Sequence, residues 1–161
     1  MIYAFTLAFA VLSGWYDARD IRLKRDIDHG VRWAFRAMVV GVASCIAMMF
    51  TDRPLWHVLP LAVGCGFLFS AVFRLSLNLW RGLDWRYVSP SSWYDWQFLR
   101  SVGYHWREAD IEQHASKYYG IGDLAVFQHQ YRSNVHHAGL LAYTTEAVVF
   151  ALTVWWACLH H

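Results

Sequence analysis

The chain has 161 residues, of which 57% are apolar or aromatic and 16% are charged, against roughly 25% charged in an average soluble domain. Its formal net charge is only +2, so the balance gives no sign of a basic nucleic-acid-binding surface, and no nucleic-acid partner is expected. Ten Trp, ten Phe and nine Tyr exceed what one small core needs, and they cluster at the edges of apolar runs, as in the aromatic belts of membrane proteins.

Four apolar stretches predict an all-α polytopic membrane protein, one membrane domain over 1–161, with four transmembrane helices. The first, residues 2–16, is short, but the flanking aromatics complete a crossing. Nothing basic precedes it and no small-residue cleavage site follows it, so no cleaved signal peptide is expected. The second, 31–50, opens with Arg32 and Arg36, whose long stems let the charged ends reach toward headgroups. The third, 55–79, contains Pro60, Arg74 and Asn78. The fourth, 138–159, contains one ionisable residue, Glu146. Cys45, Cys65 and Cys158 all fall in these spans without a C-x-x-C pair, which argues against a disulfide framework. Gly14, Gly41, Gly64 and Gly66, with Ser13, Ser44 and Ser70, are small enough for helix backbones to approach closely.

Lys and Arg set the expected orientation. Twelve of them lie in or beside the two connections that four crossings place on one side: Arg19, Arg22, Lys24, Arg25, Arg32 and Arg36, then Arg81, Arg86, Arg100, Arg107, Lys117 and Arg132. Arg53 alone lies in the connection on the other side. This bias predicts both termini outside the cytoplasm and suits a bacterial inner membrane. The lipid bilayer is the expected partner; a homo-oligomer or another membrane protein stays open.

Residues 81–137 form the expected cytoplasmic segment, with interfacial helices near 92–102, 105–119 and 122–136. In the first of these, Trp93, Trp96, Phe98 and Leu99 are expected to face lipid. At its entrance, "FRLSLNLWRGLDWRYV" carries Asn78, Leu79, Arg81, Gly82, Trp85, Tyr87 and Val88. An upstream basic stretch ends in Ile27, His29 and Gly30. Together these elements resemble small integral membrane proteins encoded by bacteriophages and prophages, over about a third of the chain. The resemblance implies a membrane location and no particular activity.

Two constellations carry candidate chemistry. Glu146 is costly inside a span, since insertion scales charge about 2.5–3.5 kcal/mol for Asp, Lys or Arg there, so it needs a partner, with Arg74 and Asn78 the candidates. A structural clamp is favoured over a proton or ion path. The second constellation is a metal set drawn from Asp28, His29, His105, Glu108, Glu112, His129 and His136, residue types that bind iron or zinc at the cytosolic face of membrane enzymes. It lacks the repeated His clusters of those enzymes, and solvated amphipathic helices explain it more simply. Alternating charges in "YDARDIRLKRDIDHG" read as a neutralised surface helix. The expectation is therefore a membrane protein acting through the envelope or a partner, without a cofactor; the alternative is a metal-dependent membrane enzyme.

Overall fold

A computed structural model describes residues 1–23, 25, 28–51, 54–88, 93–103 and 121–159, with the side chains at 29, 55, 93 and 121–134 left aside. The described residues are all-α: α1 (Ile2–Arg22), α2 (His29–Met49), a 3₁₀ turn (Leu55–His57), α3 (Val58–Arg81), α4 (Trp93–Ser101) and α5 (Ile121–Leu159). Three segments are long and apolar enough to cross a membrane: Gly30–Met49, Val58–Arg81 and Val135–Leu159. The expected helix over 105–119 lies outside the described residues. The chain divides into two compact units, one of residues 1–83 with 145–161 and one of residues 84–144.

In the first unit α1 packs along α3, as does α2, while the backbones of α1 and α2 approach each other less closely. The buried stripe of α1 is Thr6, Ala10, Ser13, Gly14, Asp17 and Ala18, all small or polar, while Phe5, Leu12, Trp15 and Tyr16 face outward. This reverses the arrangement of a water-soluble amphipathic helix. Small residues facing inward let the backbones close together, which is how helices associate when the surroundings are as apolar as the side chains. A Cβ on Gly14 would stand 2.8 Å from Ser76 Cβ and 2.9 Å from the Leu77 amide nitrogen. Ser76 Oγ donates across the same seam to Val11 O at 3.0 Å. Gly64 meets the Thr153 side chain in the same way, whereas Gly41 and Gly66 have nothing within 4 Å of an added Cβ. Two of the four glycines singled out by composition thus sit at close helix approaches. Rings fill what remains: Phe9, Trp33 and Phe73 surround Phe69 at centroid distances of 5.4–6.1 Å. The three cysteines are free.

α2 begins where Asp28 Oδ1 accepts from the Val31 amide at 3.0 Å, an N-cap that satisfies one of the helix's orphan donors. α3 ends in a Schellman turn: Gly82 at φ 71° donates to Leu79 O, and Leu83 donates to Asn78 O at 2.9 Å. That requirement for a left-handed residue explains the Gly82 of the Asn-Leu-x-Arg-Gly element.

Two expectations are corrected. The break between a helix over 122–136 and a span over 138–159 does not exist, because α5 runs unbroken from Ile121 to Leu159. No proline interrupts this stretch, and a single glycine costs a helix interior only about 1 kcal/mol. In α4, Leu99 does not face lipid. It is fully buried with Val88, Val135 and Ala138, and Trp96 and Phe98 pack against this cluster in the second unit.

Candidate functional site

The polar chemistry of the first unit is concentrated in two ion-pair clusters flanking Phe73. In one, Arg74 grips Glu146 with both guanidinium nitrogens: Nη1 donates to Oε2 at 2.9 Å and Nη2 to Oε1 at 3.0 Å. Ser70, one turn back on α3, donates to Oε1 at 2.7 Å. Glu146 is 1% exposed and Arg74 5%. A fork-on-carboxylate geometry with a third donor is what makes burial of such a pair tolerable, since lone pairs and N–H groups must be matched once water is removed. Asn78, one turn beyond Arg74, is buried as well.

The other cluster joins α1 to α2. Arg32 donates to Asp17 Oδ1 and to Asp20 Oδ2, both at 2.6 Å, and Arg36 donates to the same Asp17 oxygen at 2.7 Å. Arg36 also lies 4.4 Å from the centre of the Phe73 ring and 5.7 Å from that of Trp33. Asp17, Asp20 and Arg36 are all buried. Arg36 does not reach for headgroups, as its place near the start of a span suggests, and Asp17 and Asp20 are not a solvated face. The reason is spacing: acids three apart on α1 and arginines four apart on α2 line one side of each helix. A six-residue connection brings those sides together. Further along, Arg22 donates to the Trp80 carbonyl, tying the ends of α1 and α3.

The second unit has its own polar junction. Asp84 accepts from the Arg86 amide at 2.8 Å and from its guanidinium at 3.1 Å, and His136 Nδ1 lies 3.6 Å away. These bonds, the Arg86 side chain foremost, pull the Asp84 carboxyl from 3.8 to about 2. Tyr143 donates its hydroxyl to Trp85 O at 2.9 Å, and a Cβ on Gly139 would collide with the Arg86 carbonyl. The Trp85–Val88 segment is thus a strap laid across α5, with Tyr87 against the Val88–Leu99 cluster.

The proposed metal set is not assembled by the described residues. Asp28 is spent on capping α2, and His136 sits beside Asp84. His29 and His129 belong to α2 and α5, but their side chains lie outside the described residues, as do His105, Glu108 and Glu112 entirely. Among the described residues, no three His, Cys, Asp or Glu side chains come together as a metal site. No known family, curated protein or solved structure matches the chain.

Proposed function

We propose that this chain is a small polytopic protein of a bacterial inner membrane, crossing four times through α1, α2, α3 and α5. On this reading both termini lie outside, and the protein acts by binding lipid or a partner within the envelope rather than by catalysis. On hydropathy α1 is not among the segments apolar enough to cross, its second half carrying Ser13, Gly14, Trp15 and Tyr16 and then Asp17, Arg19, Asp20 and Arg22. The observation that carries the reading is that Asp17 and Asp20 are buried and already neutralised by Arg32 and Arg36. With those charges matched, α1 presents Phe5, Val11, Leu12 and Trp15 outward, and its 21 residues extend about 32 Å, the thickness of a hydrocarbon core. The twelve-to-one placement of Lys and Arg supports the orientation. An envelope role also suits the resemblance to phage-encoded membrane proteins. The arginines and acids of the two clusters are engaged with one another, a use that favours a rigid bundle over a reaction centre.

Single cysteines introduced at Ile2, Arg25 and Thr51 in a cysteine-free background test the crossings of α1 and α2. An impermeant maleimide applied to intact cells should label positions 2 and 51, and label 25 only after permeabilisation. Labelling of 2 and 25 from the same side would remove α1 from the bilayer and end this reading.

A further inference from the structure

Along the outward side of α1, Leu12, Trp15, Arg19 and Arg22 follow one another at steps of three, four and three, so they form one stripe that runs from apolar to cationic. All four are exposed. Arg19 stands over the Trp15 ring, its Cζ 6.0 Å from the ring centre. Arg22 donates to the Trp80 carbonyl, one of the oxygens that the end of α3 leaves without an intrahelical partner, and so sits where α1 meets α3. That bond leaves most of the guanidinium N–H groups for other acceptors. Trp80 is itself exposed. The described carboxylates of the first unit are all committed elsewhere. Asp17 and Asp20, which flank Arg19 in sequence, turn inward to Arg32 and Arg36. Asp28 caps α2, and Glu146 is held by Arg74. Among the described residues no carboxylate pairs with Arg19 or Arg22.

We infer that this stripe binds an anionic glycerophospholipid of the cytoplasmic leaflet, with the phosphate between Arg19 and Arg22 and the acyl chains along Val11 and Leu12. Three observations select this occupant. Guanidinium forks match phosphate oxygens, and both forks are open to the surroundings. The rings of Trp15 and Trp80 border them, and amphipathic aromatics sit at headgroup level. Val11 and Leu12 are exposed and apolar one to two turns deeper, a continuation that a lipid uses and a soluble anion leaves bare. Unmatched positive charge then chooses among lipids. Phosphatidylethanolamine would bring its own ammonium to a site where no described carboxylate receives it, whereas phosphatidylglycerol brings none. Each arginine near anionic headgroups is worth on the order of fivefold in affinity, and the pair on the order of twentyfold.

The inference rests on the reading that α1 crosses the bilayer with this end at the cytoplasmic face, which the maleimide labelling decides independently. Its own test is native mass spectrometry of the full chain in mild detergent, titrated with dioleoyl-phosphatidylglycerol or dioleoyl-phosphatidylethanolamine. The expected result is a retained phosphatidylglycerol, preferred over phosphatidylethanolamine by on the order of twentyfold. Arg19→Gln with Arg22→Gln should abolish the preference, and Arg19→Lys with Arg22→Lys, which keeps both charges, should retain most of it. Arg25→Gln removes one charge near the same end of α1, but from a side chain already paired with Asp20, and should leave the preference unchanged. Equal retention of the two lipids by the parent, or a preference that survives the double glutamine variant, would overturn the proposal. So would equal losses on replacing Arg19, Arg22 or Arg25 singly by Gln, which would reduce the effect to bulk surface charge. A dimer that the double glutamine variant dissociates would overturn it as well, by assigning the stripe to a second copy of the chain.

Discussion

Arg74 and Glu146 stand 72 positions apart in sequence and meet in a two-toothed ion pair sealed from solvent, with Ser70 as a third donor. Removing one member leaves the other buried and unmatched, which costs about 3–5 kcal/mol, whereas replacing both by apolar residues of similar size is often neutral. Glu146→Gln should therefore lower the midpoint of thermal unfolding in detergent markedly, and the double variant Arg74→Met with Glu146→Leu should recover most of the loss. A midpoint for Glu146→Gln equal to that of the parent would show that the pair is not a clamp.

Asp17 serves two arginines through one oxygen, while Asp20 receives Arg32 and, more distantly at 3.4 Å, the exposed Arg25. Asp17→Asn should accordingly destabilise the protein more than Asp20→Asn, because it strands the buried Arg36 guanidinium. Parallel denaturation of the two variants checks the order; equal losses would mean that Arg36 finds another acceptor.

Gly14 and Gly41 are both helical, yet only Gly14 lies against another helix. An added methyl at 14 must push α1 from α3, and overpacking of this kind costs about 1–3 kcal/mol. Gly41→Ala meets open space and gains up to about 1 kcal/mol from helix propensity. Opposite signs for the two alanine variants in a thermal melt are the expected outcome.

Gly139 accommodates the Arg86 carbonyl. Gly139→Ala should detach the 84–88 strap from α5, and trypsin should then cut after Arg86 faster than in the parent. A cleavage rate no different from the parent's would place the strap's anchorage elsewhere, in the Tyr143 hydroxyl for example.

The Asp84 carboxyl, at about 2 rather than 3.8, binds its proton less readily folded than unfolded. Its contribution is thus complete above pH 3.8 and is lost as pH falls toward 2. Because Asp84 is 37% exposed in its side chain, the effect is that of a surface pair, under about 1 kcal/mol. Asp84→Asn should flatten the pH dependence of stability between pH 5 and about 2; a slope identical to the parent's would deny the Arg86 bond any energetic role.

Much of the architecture was legible before any coordinates. Continuous apolar runs announce α2, α3 and the second half of α5, and their expected limits fall within a few residues of the observed helices, because burial in hydrocarbon demands length and apolarity along the chain itself. Glu146 was conspicuous for the same local reason, and Arg74 was within reach of it by helical register.

What lay beyond the sequence was pairing between helices. Arg32 and Arg36 read locally as headgroup anchors, and Asp17 and Asp20 as a wet surface; only the packing of α1 and α2 against α3 turns the four into one buried cluster. Leu99 looked like a lipid contact because α4 by itself has no inside, and Val88, Val135 and Ala138 supply one. The apolar cleft lined by Ile2, Phe5, Met38, Val42 and Leu61 had no sequence signal, because its walls come from three separate helices. Hydrophobicity and helix length belong to each segment and can be read from it, whereas the partner of a charge or the shape of a void depends on which faces meet, and that is decided in three dimensions.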